Sequence, residues 1–204
     1  MNVLVACEFS GVVRDAFIEK GHNAWSCDLL PAEGKYKHRS YMCNVLDLLT
    51  PAFSWDLMIA HPPCTYLTNA GVRHLHENVT SCNGVRAKIY GQQRRELMYE
   101  AAEFFNLLFK NPLVDKICVE NPIPHKYARE IIGKYNQIIQ PWQFGHGDTK
   151  ATCLWLKNLP PLIHTDIVGG RNHPIMNLPP SPDRGKKRSI TYTGIAKAMA
   201  DQWG

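Results

Sequence analysis

Short apolar runs that alternate with amphipathic segments constrain the fold of this chain most. The runs NVLVAC (2–7) and WDLMIA (55–60) have few polar positions, which is typical of strands that are buried on both faces of a sheet. The clearest helical pattern lies at 92–112, where apolar side chains recur on one face until Pro112. This alternation predicts an α/β fold with a mostly parallel central sheet and helices on both faces.

The rest of the chain continues the alternation without an internal repeat or a low-complexity linker, so we expect a single domain over 1–204. The last helical segment places Ile195, Met199 and Trp203 four residues apart on one face. The other predicted helices are 11–22 and 126–134, and the other predicted strands are 23–30, 114–122, 136–145 and 149–156. Irregular structure is predicted for 31–41, for about 65–91 and for the Pro- and Gly-rich segment 158–190.

Composition excludes several classes of protein. Seven cysteines, an odd number without a CxxC pair, indicate a reducing cytoplasm and argue against both a disulfide framework and a structural zinc site. The N-terminus lacks the basic start of a signal peptide, and no run approaches the ~20 apolar residues of a membrane span. We therefore expect a cytoplasmic protein without a membrane partner. A net charge of +5 suits either a polyanionic partner or a small anionic substrate.

Several polar residues follow the predicted strands directly. In a parallel sheet ligands gather at the carboxyl ends of the strands, so these residues share one rim. Gly11 lies between a strand and a helix N-terminus, where a nucleotide-like ligand could approach the backbone, although an ordinary turn explains it equally well. Asp28 ends the next strand, at the usual place for a carboxylate that binds ribose hydroxyls, but a surface aspartate is equally common there.

Cys64 and Glu120 form the most specific pair on this rim. Pro62 and Pro63 stiffen the turn before Cys64, and Glu120 stands in the motif VENP at the end of another strand. A thiol and a carboxyl that face one pocket suit nucleophilic attack on an electron-poor ring, because the carboxyl can hydrogen-bond to a ring nitrogen while sulfur attacks carbon. The alternative is a buried and inert cysteine.

These motifs resemble those of the cytosine carbon-5 methyltransferases. The motifs HPPC and VENP, the opening EFSG, the segment TCLWLK with its following LPP, and the final GIAKAMA occur in the order of that family over residues 3–203. The resemblance is closest to the short phage-type and prophage-type members. It implies an S-adenosylmethionine (SAM)-dependent methyltransferase fold of Rossmann-like type, in the cytoplasm of a bacterium or of a phage-infected host.

The resemblance also implies roles for individual residues. Cys64 would attack carbon 6 of cytosine so that carbon 5 takes a methyl group from SAM, Glu120 would bind the ring nitrogen, and Asn121 would help to fix that turn. The implied cofactor-binding residues are Glu8, Phe9, Ser10, Gly11, Asp28, Asn44, Pro62, Thr193, Gly194 and Ile195. The implied substrate-binding residues are Pro63, Lys150, Thr152, Arg73, Arg94 and Arg95, and further phosphate contacts would come from Arg86, Lys88 and the segment 183–188.

The chain departs from the family pattern at three places. Val12 and Val13 follow Gly11 where the family has a second glycine, and Asn44 stands where it usually has an aspartate. The third departure is the loop-rich segment 158–190, which occupies the place of a sizeable target-recognition domain. Three functions remain open: methylation of cytosine in DNA, with or without a protein partner that supplies target recognition; the same chemistry on a free cytosine nucleotide; and a non-catalytic SAM-fold protein that binds nucleic acid or a partner. The oligomeric state stays open as well.

Overall fold

A mostly parallel sheet of seven strands forms the centre of the computed structural model, which describes residues 1–76, 89–174 and 177–204. The strands are β1 (Asn2–Ala6), β2 (Asn23–Cys27), β3 (Ser40–Tyr41), β4 (Leu57–Ala60), β5 (Lys116–Pro122), β6 (Gln137–Ile139) and β7 (Thr152–Lys157). Their order is β3-β2-β1-β4-β5-β7-β6, and only the pairs made by β7 are antiparallel in this sheet. This order confirms the predicted Rossmann-like α/β fold.

Helices cover both faces of the sheet, as predicted. They are α1 (Val12–Glu19), α2 (Gly91–Phe109), α3 (Lys126–Ile132), α4 (Arg184–Ser189) and α5 (Thr193–Trp203). In β1, Val3 and Val5 pack with α1 and α5, whereas Leu4 and Ala6 pack with α2 and α3. Alternate residues thus reach opposite apolar layers, which explains why the strand has no polar side. Of the helices in the described ranges, none has the length and apolarity needed to cross a membrane.

Within the described residues, several segments differ from the sequence-based expectation. The predicted loop 31–41 ends in the short edge strand β3, and the predicted strand 136–145 stops at Ile139. Pro141 starts a 3-10 helix (Pro141–Gln143) because proline has no N–H with which to continue the ladder. The irregular segment 158–190 contains α4, a six-residue helix with four basic side chains.

The strand order reverses next to β1, and this reversal positions the candidate site. β1 pairs with β2 on one side and with β4 on the other, so the chain leaves the sheet in opposite directions after β1 and β4. A crevice therefore opens at their carboxyl ends, where residues 8–11 and 61–64 follow the two strands. β5 lies on the other side of β4. Val119 of β5 pairs with Ala60 of β4, and Glu120 is the next residue of β5.

Candidate active site

Cys64 lies on a tight turn that begins where β4 ends. The backbone N–H of His61 donates to the Ala6 carbonyl at 2.9 Å, which is the last bond of the strand. Pro62 and Pro63 follow, and the chain leaves the sheet at its rim. The Cys64 carbonyl accepts the N–H groups of Leu67 (3.0 Å) and Thr68 (3.2 Å), so the next residues fold back immediately. The half-buried thiol is thereby held at the carboxyl end of the sheet.

Glu120 lies beside this turn, and its side chain is only 13% exposed. Its Oε2 lies 2.8 Å from Nδ1 of His61. Burial by itself raises the pKa of the Glu120 carboxyl, but the hydrogen bond and charge of His61, together with Lys150 and Thr152, outweigh burial and leave that pKa below its ordinary value. The carboxyl is therefore ionised at neutral pH.

The charges around Cys64 act in both directions on its thiol. Burial, and after it the negative charge of Glu120, raise the pKa of Cys64 above its ordinary value. The positive charges of Arg188 and Lys150 act against this rise. Glu120, Lys150 and Arg188 are thus close enough to Cys64 to act on its thiol, although the four residues come from separate parts of the chain. The resting thiol keeps its proton at neutral pH.

Asn121 joins the two motifs by a direct hydrogen bond. Its Nδ2 donates to the Pro62 carbonyl at 3.0 Å, and the side chain is 2% exposed. The bond ties β5 to the turn that carries Cys64, so the thiol and the Glu120 carboxyl keep a fixed relative position. The role that the sequence resemblance implies for Asn121, fixing this turn, requires such a contact.

The side chains of Glu8 and Ser10 are buried at the turn between β1 and α1. The Glu8 carboxylate accepts the backbone N–H groups of Val13 (2.7 Å) and Arg14 (3.2 Å) at the start of α1, and Ser10 Oγ lies 3.4 Å from it. Burial raises the pKa of Glu8, while His61 and these hydrogen bonds act against the rise. The Glu8 carboxylate therefore accepts hydrogen bonds from the first turn of α1, and the Ser10 hydroxyl contacts that carboxylate.

Gly11 is required by packing as well as by backbone geometry. Its φ of +73° lies in the left-handed region, and a Cβ there would overlap the Arg14 guanidinium and lie 2.7 Å from the Glu33 carbonyl. Arg14 is fully buried and donates to Asp15, to Ser26 and to that same carbonyl. Sequence reasoning missed Arg14, although its place three residues before Phe17 on the buried face of α1 was a signal.

The ends of β2 and β3 place polar acceptors next to exposed apolar side chains. Asp28 follows β2 and accepts the Leu30 N–H at 2.8 Å, and the exposed Asn44 accepts the Leu46 N–H at 3.1 Å. Between them along the rim, Leu29 is 75% exposed and Met42 is 69% exposed. Carboxylate, amide and apolar groups thus share one edge of the crevice.

Phe9 lies on the same side as these residues, buried beneath α4. Lys186 Nζ lies 4.9 Å from the centre of its ring and 2.6 Å from Glu33 Oε1. These two contacts dock the basic helix onto the turn after β1.

The start of α5 is held by a histidine. Nε2 of His146 accepts the Gly194 N–H at 3.0 Å and lies 3.2 Å from Thr193 Oγ1. Ile195 is buried in the core, and Thr193 lines an open groove between α1 and α5.

Lys150 and Thr152 lie close to Glu120, because β7 pairs with β5 and Thr152 faces Pro122 in that ladder. The structure thus places Lys150 and Thr152 next to the turn that carries Cys64. The start of α5 contacts His146 instead.

The predicted phosphate-binding arginines contact the segment that follows Cys64. Arg94 Nη2 donates to the Thr65 carbonyl at 3.2 Å, and Arg95 Nε donates to the Leu75 carbonyl at 3.0 Å, so both arginines tie that segment to α2. Arg73 is exposed and lies next to His74. Arg86 and Lys88 lie outside the described residues.

Two proteins of known structure are similar to this chain at low sequence identity. No protein-family model matches the chain, and no curated protein sequence matches it. A mutant of DNMT2 from Spodoptera frugiperda has 16% identity and a TM-score of 0.44, over 85% of this chain and 55% of that one. The methyltransferase EhMeth from Entamoeba histolytica has 13% identity and a TM-score of 0.45, over 87% of this chain and 59% of that one. The chain thus spans little more than half the length of these two structures.

Proposed function

We propose that this protein transfers a methyl group from SAM to carbon 5 of cytosine in DNA, through a covalent adduct with Cys64. One observation carries the proposal: Cys64 and Glu120, on neighbouring strand ends and tied together by the Asn121–Pro62 hydrogen bond, act on each other electrostatically. A nucleophile and a carboxyl in this arrangement can engage two positions of one ring. The intact pair also argues against a non-catalytic role.

The chemistry follows from these side chains. The Cys64 thiol gives up its proton to solvent, and its sulfur forms a bond to ring carbon 6. An electron pair moves through the ring towards the nitrogen that faces Glu120, which makes carbon 5 nucleophilic. After carbon 5 has gained the methyl group, its proton passes to a water molecule, the carbon 5–carbon 6 double bond forms again, and the sulfur–carbon bond breaks with its electron pair on Cys64. SAM would supply the methyl group, activated by its positively charged sulfur.

The rim at β2 and β3 fits SAM chemically. Asp28 presents a carboxylate where such sheets bind ribose hydroxyls, and the Asn44 amide can accept a hydrogen bond from an amino group. Exposed Leu29 and Met42 offer apolar contacts for the flat faces of adenine. These residues would hold the nucleoside part of the cofactor while Cys64 and Glu120 hold the base.

The basic helix α4 supports DNA as the substrate. It carries Lys186, Lys187 and Arg188 beside the crevice, and the charge of Arg188 reaches Cys64. Lysine and arginine next to the site where a target base is bound would neutralise the phosphates that flank it. The short segment 158–190 favours the second candidate, a free cytosine nucleotide, because a single nucleotide needs no large recognition surface.

A single product assay tests the proposal. The protein is incubated with labelled SAM and with double-stranded DNA, single-stranded DNA, dCMP or CMP, and the digested nucleosides are analysed by mass spectrometry. We expect 5-methyl-2′-deoxycytidine from DNA, its loss in Cys64→Ala, and full activity in the control Thr65→Ala, which changes an exposed side chain on the same turn. Product from dCMP or CMP alone would favour the nucleotide, and absence of product throughout would overturn both enzymatic functions.

The covalent step has its own test. DNA with 5-fluorocytosine in place of cytosine leaves no proton to be lost from carbon 5, so the sulfur–carbon bond should persist. We expect a protein–DNA adduct that survives denaturing electrophoresis and requires both SAM and Cys64. Methyl transfer by Cys64→Ala would contradict the covalent mechanism.

A further inference from the structure

His61 is the buried group of this site to which the sequence motifs assign no task. It precedes the two prolines of HPPC, and its side chain is only 8% exposed. A residue that only had to end β4 would not need a buried imidazole, since burial of a polar ring without full hydrogen bonding costs free energy.

The two ring nitrogens of His61 have different surroundings. Nδ1 lies 2.8 Å from Glu120 Oε2, which is hydrogen-bond distance. Nε2 is buried and has no hydrogen-bond partner within the described ranges 1–76, 89–174 and 177–204. The ring therefore directs Nδ1 at the Glu120 carboxyl, and within those ranges Nε2 makes no competing hydrogen bond.

The charged and titratable groups around His61 come from several elements. Glu8, on the turn after β1, is close enough for the charge of His61 to act on it, and Glu120 faces the ring from β5, which also carries Cys118. Cys64 lies on its own turn, and Lys150 lies beyond Glu120 at the start of β7. Of these groups, the Glu120 carboxyl contacts the imidazole directly, and a distance of 2.8 Å between Nδ1 and Oε2 requires a proton between the two atoms.

We propose that His61 is a positioning residue that orients Glu120 and holds the proton which the carboxyl delivers to the base nitrogen. The inference rests on the proposed function. It resolves a conflict in the site: Glu120 is ionised at rest, yet the ring nitrogen needs a proton when sulfur attacks carbon 6.

The proton balance closes within the pair. As the sulfur–carbon bond forms, Nδ1 of His61 gives its proton to the Glu120 carboxylate, and the carboxyl gives a proton to the ring nitrogen that receives the electron pair. An Nδ1–H bond therefore breaks as the new N–H bond on the base forms, Glu120 remains a carboxylate, and His61 is left neutral with its other proton on Nε2. When Cys64 is expelled, the nitrogen returns its proton to the carboxylate and His61 is charged again.

The test combines a measurement on the resting protein with a pH–rate profile. The ring nitrogens of His61 are followed by ¹⁵N NMR as pH rises and are assigned by their loss in His61→Asn. We expect His61 to lose its proton at lower pH in Glu120→Gln than in the wild type. Glu130→Gln removes an exposed carboxylate on α3 and should leave that titration unchanged.

The rate of methyl transfer is then measured for the wild type and His61→Asn from acidic to alkaline pH. Asparagine keeps a hydrogen-bond donor for Glu120 but holds no exchangeable charge. At neutral pH we expect a loss on the order of 100-fold in kcat/KM, as is typical when a proton donor is removed. The loss should shrink as pH falls, because Glu120 can then take its proton from solvent. His164→Asn, an exposed histidine, serves as the control.

The outcomes separate the two proposals. An unchanged His61 titration in Glu120→Gln overturns the shared proton, whatever the activity. A loss in His61→Asn that is equal at every pH overturns the proton-holding role, because a merely structural defect has that form. Absence of methyl transfer by the wild type overturns the proposed function and the catalytic use of the proton, and the NMR titration still decides whether the two side chains share it.

Discussion

At the scale of single residues, the pKa of Cys64 is set by burial and by charges from distant parts of the chain. Burial and Glu120 favour the neutral thiol, whereas Arg188 and Lys150 favour the thiolate. A resting thiol that stays protonated is protected from oxidation and from unwanted alkylation. Binding of a base against Glu120 would cover its charge, so that the thiol becomes more acidic when a substrate is present.

Alkylation of Cys64 should therefore respond to these charges in opposite directions. Removing the negative charge in Glu120→Gln lowers the pKa of Cys64, so more thiolate is present at neutral pH and iodoacetamide should react faster than in the wild type. Arg188→Gln raises that pKa and should slow the reaction. The rate is measured by mass spectrometry of the Cys64 peptide. Equal rates in the three proteins would show that neither charge reaches the sulfur.

Gly11 allows a second test at this scale, because Gly21 is a natural control. Both glycines have positive φ, but a Cβ at Gly21 meets no atom within 4 Å, whereas one at Gly11 meets Arg14 and Glu33. Gly11→Ala should lower the free energy of unfolding by about 1–3 kcal/mol more than Gly21→Ala, since overpacking adds to the same backbone strain. Urea denaturation measures the difference. Equal destabilisation would mean that Arg14 moves aside at little cost.

At the scale of elements, helix α3 depends on a buried histidine at its N-terminus. Nδ1 of His125 accepts the Ala128 N–H at 3.1 Å, and Nε2 lies 3.0 Å from the Tyr66 carbonyl, to which it can donate. The ring is 2% exposed, and burial, with a further contribution from the charge of Arg94, lowers the pKa of His125. The neutral ring thus both caps α3 and binds the segment that follows Cys64.

Acid should therefore weaken this cap. Because the pKa of folded His125 is below its ordinary value of 6.5, the unfolded chain binds the extra proton first. The contribution of His125 to stability is complete above that pH and is lost as pH falls towards the folded pKa. His125→Asn keeps a good N-cap but cannot titrate, so its free energy of unfolding should fall less steeply than that of the wild type below about pH 6.5.

Urea denaturation at a series of pH values measures this difference. His164→Asn removes an exposed histidine and serves as the control. A wild-type slope that His125→Asn leaves unchanged would assign the acid sensitivity to other groups.

At the scale of the whole molecule, the segment 158–190 brings a basic helix next to the candidate site. α4 docks onto the turn after β1 through Lys186, and it leaves Lys187 and Arg188 exposed beside the crevice. Part of the net charge of +5 is thus concentrated beside the candidate site, where it produces a local positive field. A partner that neutralises several of these charges should be sensitive to salt.

Binding of double-stranded DNA should weaken steeply as salt rises, since each neutralised phosphate releases counterions. Lys187→Gln and Arg188→Gln should each reduce the slope of log K against log salt by about 1, and Lys134→Gln, an exposed lysine at the end of α3, should leave it unchanged. Fluorescence anisotropy with labelled duplex measures these slopes. A flat slope for the wild type would contradict DNA binding and would favour a free nucleotide.

Most of the secondary structure could be predicted from local patterns. The apolar runs of β1 and β4 and the helical stripe of α5 were evident because each is defined by neighbours within a few residues. The antiparallel direction of β7 and the short helix α4 were not evident, since the first depends on pairing across the sheet and the second has no apolar stripe.

The sequence alone was enough to predict a rim that carries polar and nucleophilic side chains. Cys64, Glu120 and Asp28 stand at the ends of apolar strand runs, and in a parallel sheet such ends meet at one edge. Only the tertiary structure decided how these groups act on one another. His61 and Glu120 are 59 positions apart, and Arg188 comes from near the other end of the chain. Charge and hydrogen bonding depend on distance in space, which no local pattern records.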